Sequence, residues 1–126
     1  MFNFKLSTLA VALVLGLTAL AVAPLASAKD GDVRVRGACT QGSTAKLKLG
    51  REDRGLEVEF EVDQNRNGVP WRVTLRRNGA LVASATRRTH GPSGSFELRR
   101  VVSGSGTIVA VATRASGERC TARAAI

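Results

Sequence analysis

The chain has 126 residues, two cysteines, one histidine and a net charge of +9 at neutral pH. This length allows one hydrophobic core and no more, and so few cysteines and histidines argue against a zinc site, which needs four ligands at local spacings. We expect no cofactor. The excess of arginine favours anionic partners, either an anionic polymer or an acidic protein.

Residues 1–28 have the features of a secretory signal peptide. Lys5 gives a positive start, residues 6–23 are uncharged and mostly apolar, and a proline and the small residues Ala26-Ser27-Ala28 follow. Cleavage after that triplet leaves residues 29–126 as a single secreted domain, extracellular or in the cell envelope, with no membrane span. The alternative is an uncleaved membrane anchor, because the apolar run is nearly long enough to cross a bilayer.

Cys39 and Cys120 are both in the part expected after cleavage. An even number of cysteines in an exported chain predicts a disulfide. This bridge would join the start of the domain to its end. Two free buried thiols are the alternative.

Polar and apolar residues alternate with a period of two through most of the mature part, which predicts β-strands. Asn78-Gly79 between two such runs indicates a tight hairpin, and residues 106–114, which have no polar face, predict a strand covered on both sides. Seven or eight short strands predict an all-β, antiparallel β-sandwich, with a small closed barrel as the alternative. The predicted strand segments are 33–39, 44–49, 55–63, 70–77, 80–88, 95–102, 106–114 and 118–126.

The stretch WRVTLRRNG, Trp71–Gly79, resembles the tryptophan-bearing strand of immunoglobulin-like and fibronectin-type sandwiches. The chain also resembles uncharacterised small secreted proteins of high-GC Gram-positive bacteria. These resemblances imply an architecture and no activity. The cysteines depart from the immunoglobulin pattern, in which two internal strands are bridged around the tryptophan, so the strand order of that fold does not carry over.

Charges on the predicted strands suggest where a ligand would bind. A hairpin turning at residues 51–54 would place Lys48 opposite Glu57 and Lys46 opposite Glu59, so these charges would neutralise each other.

The outward residues of the first and last strands have no acidic partners in their own segments. Because the disulfide would bring these strands together, we predict an anion-binding patch of Arg34, Arg36, Arg119 and Arg123. The alternative is a solvated basic edge that prevents edge-to-edge pairing.

A specific nucleic-acid partner is not expected. Proteins that bind single strands stack the bases on exposed aromatic side chains, and the three aromatic residues of the mature part, Phe60, Trp71 and Phe96, all fall on inward positions. Only contact with the phosphates, without regard to sequence, remains.

Asp63, Asn65 and Asn67, followed by Gly68, match the first half of a calcium-binding loop. The twelfth position of that motif is Thr74 and lacks the bidentate glutamate on which affinity depends. The segment is therefore a weak calcium candidate. An ordinary turn is the preferred interpretation, since Asn and Gly tolerate positive φ.

His90 is the only histidine and has no orienting carboxylate nearby in sequence. We therefore expect no enzymatic activity. The predicted function is a secreted, non-enzymatic interaction module that binds anionic envelope or extracellular surfaces through its arginine-rich face. The alternative is a protein-binding or enzyme-inhibitor domain that presents a loop, either 63–70 or 89–95, on a rigid scaffold.

Overall fold

A computed structural model describes residues 31–126. The predicted signal peptide, residues 1–28, lies outside the described residues. Within the described part, no helix is long and apolar enough to cross a membrane.

Two antiparallel sheets pack face to face. The four-stranded sheet has the order β1-β3-β4-β7, and the five-stranded sheet has the order β2-β9-β8-β5-β6. The predicted all-β sandwich with antiparallel strands and one disulfide is confirmed. The strands are β1 (Val33–Arg36), β2 (Ala38–Cys39), β3 (Thr44–Glu52), β4 (Gly55–Asp63), β5 (Pro70–Arg77), β6 (Ala80–Arg88), β7 (Ser95–Val102), β8 (Thr107–Arg114) and β9 (Arg119–Ala125).

The core lies between the sheets and is filled by the inward residues of the alternating pattern. Phe60, Trp71 and Phe96 are all buried, and the rings of Trp71 and Phe96 are 6.0 Å apart. The four-stranded sheet contributes mainly leucine, valine and phenylalanine, whereas β8 and β9 contribute mainly alanine. The absence of exposed aromatic rings among the described residues agrees with the inward positions that the alternation predicts.

The first predicted strand is divided between the two sheets. β1 pairs with β3 in one sheet and β2 pairs with β9 in the other, and Gly37 lies between them. A Cβ atom at Gly37 would lie 2.8 Å from the carbonyl oxygen of Thr121 and 3.0 Å from Cβ of Ala45. Only glycine allows the chain to cross so close to both sheets, and this crossing gives nine strands in the described residues where seven or eight were predicted.

The predicted disulfide is confirmed and joins β2 to β9. Cys39 and Cys120 are partners in the strand register, so the bridge lies within the five-stranded sheet. Cys120 is fully buried. The bridge therefore fixes the short β2 to the last strand of the domain.

The hairpin between β3 and β4 has a shorter turn than predicted. Glu52 pairs with Gly55, so only residues 53 and 54 form the turn. As a result, Lys48 lies opposite Glu59, two positions beyond the expected partner, and Lys46 likewise pairs with Glu61. The predicted neutralisation between β3 and β4 remains, because lysines still face glutamates.

Candidate functional site

The structure does not bring the four predicted arginines together on one face. Arg34 and Arg36 point outward from the four-stranded sheet, whereas Arg119 and Arg123 point outward from the five-stranded sheet. The expected single patch is thus corrected to two pairs on opposite faces. The physical reason is the crossing at Gly37, which places β1 in the other sheet, so its outward side chains point to the opposite side of the sandwich from those of β9. Anion binding by these residues stays a prediction.

Arg34 and Arg36 lie on a face that also carries many carboxylates. They pair in register with Lys48 and Lys46, and the next strand, β4, carries outward glutamates. Lys48 Nζ is 3.8 Å from a carboxylate oxygen of Glu59. An anion that approached this face would meet carboxylates beside the cations.

Arg99 extends this neutralised pattern to the edge strand β7. Its guanidinium lies 2.6 Å from Glu59, 3.4 Å from Glu97 and 3.7 Å from Glu57. Exposed ion pairs of this kind contribute little stability, but they satisfy the charges locally. The strands of this sheet hold seven basic and six acidic residues.

The five-stranded sheet has the opposite character. Its strands hold eight arginines and no aspartate or glutamate. The sequence alternation predicted which side chains point outward. It did not predict which strands share a sheet, and the concentration of positive charge appears only once the strands are placed.

Four arginines stand at the corners of a rectangle on the outer side of this sheet. Two rows of paired residues run across the strands β9, β8 and β5. The first row is Arg119, Thr113 and Arg72, and the second row is Arg123, Val109 and Arg76. The rows lie about 13 Å apart along the strands, and the arginines of a row lie about 10 Å apart across two strand spacings. We call this surface the Arg/Thr face; it consists of Arg72, Arg76, Arg119 and Arg123 together with Thr74, Thr86, Thr113 and Thr121.

The centre of the Arg/Thr face is formed by β8, which the sequence predicted to be covered on both sides. Within residues 31–126 no second layer lies on its outer side, so this prediction is wrong for the described domain. Val109 and Val111 are nevertheless only partly exposed. Each stands between neighbouring strands that carry long arginine or branched threonine side chains, and the apolar stems of arginine can cover such residues while the charged ends stay in water.

The arginines of the Arg/Thr face have no counter-ions in the part of the chain that the structure describes. Within residues 31–126, none of the four forms an ion pair with a carboxylate. Arg76 donates one hydrogen bond of 3.3 Å to the carbonyl of Gly79 at the hairpin tip. These guanidiniums are therefore available to bind oxyanions from outside the protein.

The weak calcium candidate forms a compact turn. Asp63 Oδ1 accepts a hydrogen bond of 3.0 Å from the backbone N–H of Asn65, whose φ is 60°. Among the described residues, no group of three or more His, Cys, Asp or Glu side chains is placed to hold a metal ion. The geometry is that of an Asx turn.

Thr89 fixes the loop that contains this turn. Its buried hydroxyl donates to the carbonyl of Arg66 at 2.6 Å and accepts from the N–H of Val69 at 2.9 Å. A Cβ atom at Gly94 would lie 2.2 Å from the N of Arg66, so only glycine lets the neighbouring loop 89–94 pack this closely. The hydrogen bonds of Thr89 and the close packing at Gly94 therefore fix the backbone of the loop 64–69.

Thr89→Val is expected to destabilise the domain by about 1–3 kcal/mol, because it leaves the part-buried N–H of Val69 and the carbonyl of Arg66 without their partner while keeping the side-chain shape. The free energy of unfolding in urea measures this effect. Thr86→Val, on the exposed outer side of β6, is the matched control and should change stability by less than about 0.5 kcal/mol. Equal values for the two variants would contradict the role assigned to Thr89.

His90 lies in an exposed turn. Its Nδ1 is 3.2 Å from the carbonyl oxygen of Gly91, and its backbone pairs with Ser95. Ser93 and Ser95 bond to each other through their hydroxyls at 2.9 Å. None of these bonds joins the imidazole to a serine or a carboxylate, so a nucleophile, base and orienting acid are not assembled here.

Glu118, in the turn between β8 and β9, is fully buried and was not singled out by the sequence pattern. Its carboxylate accepts hydrogen bonds from Ser43 Oγ at 2.7 Å, the N–H groups of Gln41 and Ser43 at 2.9 and 3.0 Å, and Arg114 Nε at 3.0 Å. Burial alone would raise the pKa of Glu118, but the hydrogen bonds from Ser43, Arg114 and Gln41 outweigh burial and hold the pKa below its ordinary value. The i,i+4 spacing of Arg114 and Glu118 could have indicated their ion pair from the sequence. The other partners, Gln41 and Ser43, are remote in sequence and could not have been found in this way.

No protein-family model, curated protein or solved structure matches this chain.

Proposed function

We propose that the protein is a secreted, non-enzymatic module that binds anionic polymers of the cell envelope or extracellular space through the Arg/Thr face. The observation that carries the proposal is the absence of any carboxylate from the five strands that carry eight arginines. The outer side of this sheet, with the four guanidiniums of the Arg/Thr face free of ion pairs within residues 31–126, offers several simultaneous contacts to a chain of repeated anionic groups.

The threonines of the Arg/Thr face support a polymer that carries hydroxyl groups as well as charges. Thr113 lies between Arg72 and Arg119, and its hydroxyl can donate and accept. No aromatic ring is exposed among the described residues. Base stacking therefore contributes nothing, and a polyanionic polysaccharide suits this face better than a nucleic acid.

Replacing Arg72, Arg76, Arg119 and Arg123 together by glutamine is expected to weaken binding to heparin, used as a model polyanion, by about thirtyfold or more. This figure assumes about 0.5 kcal/mol for each lost contact. Titration calorimetry at two salt concentrations measures the affinity, which should fall with salt for the unaltered protein.

The matched control replaces Arg34, Arg36, Arg51 and Arg54 by glutamine, which removes the same charge from the other sheet and its turn. The control should lose only a few-fold in affinity. If both variants weaken binding equally, heparin binding depends on net charge and not on the Arg/Thr face. A stoichiometric complex with a protein that persists in high salt, and is lost on changing loop 63–70 or 89–95, would favour the protein-binding alternative.

A further inference from the structure

A polar pocket opens at the end of the sandwich that carries the loops 40–43 and 64–69. Its volume is about 320 Å³, and the end of β8 forms part of its wall. It shares no residue with the Arg/Thr face. Its lining includes Gln41, Ser43, Gln64, Asn65, Arg66 and Arg114.

Arg114 is fixed in this wall before any ligand arrives. Its Nε donates to Glu118 at 3.0 Å, and its guanidinium carbon lies 5.6 Å from the centre of the Trp71 ring. The buried carboxylate and the cation–π contact with the indole together restrict the orientation of the guanidinium. Nη2 has a long contact of 3.5 Å with Gln41 Oε1, and Nη1 has no protein partner within residues 31–126.

The remaining polar groups at the pocket are mostly hydrogen-bond donors. Gln64 accepts from Trp71 Nε1 at 3.0 Å through Oε1, which leaves its NH₂ group free to donate. The oxygen acceptor of Gln41 is occupied by the hydroxyl of Ser116 at 2.8 Å. Arg66 adds an exposed guanidinium on a backbone that Thr89 holds in place.

The two carboxylates beside the pocket, Glu118 and Asp63, lie outside its lining. Glu118 is buried beneath Arg114 with both oxygens bonded, whereas Asp63 accepts the N–H of Asn65 through Oδ1 alone. A concave site with free donors, two guanidiniums and no carboxylate in its lining suits a negatively charged ligand.

We propose that this pocket binds a single oxyanion group, a carboxylate or a phosphate, between Arg114 and Arg66. The free edge of a planar guanidinium matches the two oxygens of either group, and its fixed orientation lowers the entropic cost of binding. This site is independent of the polymer-binding proposal, because the two use different residues on different surfaces.

Nuclear magnetic resonance titration with inorganic phosphate and, separately, with succinate at constant ionic strength tests the proposal. We expect saturable shifts, with a Kd in the millimolar range, at the Nε–Hε signal of Arg114 and the backbone amides of Gly42 and Asn65. Saturation with only one probe identifies the preferred anion. Shifts that stay linear with both probes would overturn the proposal.

Arg66→Gln is expected to raise the Kd about fivefold or more, which corresponds to about 1 kcal/mol. Arg54→Gln removes the same charge from an exposed turn at the opposite end of the sandwich and should leave the Kd unchanged. Equal weakening by both variants would show a general charge effect and contradict a site. Loss of heparin binding in the Arg/Thr variant with phosphate binding retained would separate the two proposals.

Discussion

Replacing Cys39 and Cys120 together by alanine is expected to lower the free energy of unfolding by about 4.5 kcal/mol. The bridge closes a loop with a sequence separation of 81 residues, and the chain-entropy model assigns about this value to a loop of that length. Domains of this size have only about 5–15 kcal/mol in total. The double variant should therefore be marginally folded, and chemical denaturation at 25 °C measures the change.

The unaltered protein under reducing conditions is the appropriate control for the disulfide. It should lose a similar amount of stability, since reduction removes the same constraint without changing residues. If the double variant unfolds at the same denaturant concentration as the oxidised protein, the bridge does not stabilise the domain. Pairing of β2 with β9 would then depend on packing and hydrogen bonds alone.

Glu118→Ala is expected to destabilise the domain by about 3–5 kcal/mol, as when one partner of a buried ion pair is removed. The variant leaves Arg114 without its carboxylate and two backbone N–H groups of the loop 40–43 without acceptors. Glu52→Ala, at an exposed position at the end of β3, is the matched control and should change stability by less than about 0.5 kcal/mol. A cost for Glu118→Ala no larger than for Glu52→Ala would contradict the role of this network.

The same carboxylate predicts a dependence on pH. Because the pKa of Glu118 is lowered in the folded state, its contribution is complete above the unfolded value of 4.5 and is lost as the pH falls through the folded pKa. Urea denaturation from pH 7 to pH 3 should therefore show the unaltered protein losing stability faster than Glu118→Gln below about pH 4.5. Parallel curves for the two proteins over this range would contradict the prediction.

The strands were predictable because alternation reports directly which side chains are buried. Leu56, Val58 and Phe60 are buried between partly exposed glutamates, and Asn78-Gly79 forms the hairpin turn with positive φ at both residues. The disulfide followed from the even number of cysteines in a chain that the sequence predicts to be exported. These features depend on local pattern or on covalent chemistry.

The candidate sites were less predictable, because they depend on which strands become neighbours. Arg72 and Arg119 are remote in sequence and lie on the same face because both of their strands pair with β8. The crossing at Gly37 places Arg34 on the opposite face. Glu118 likewise draws its partners from Gln41 and Ser43, which are 77 and 75 positions away in the sequence. The alternating pattern specifies which side chains point into the core and which point outward, but it does not specify the strand order. It could therefore not predict that one sheet has a neutralised outer face and the other a positive one.

The unequal distribution of charge between the two sheets gives the described domain an electric dipole moment directed through the thickness of the sandwich. In the field of a negatively charged wall or matrix, such a molecule turns while it is still diffusing, so that the five-stranded sheet leads. Orientation would then precede contact, and the rate of capture would depend on how the charges are arranged as well as on their total. Two variants of equal net charge would differ in how fast they associate.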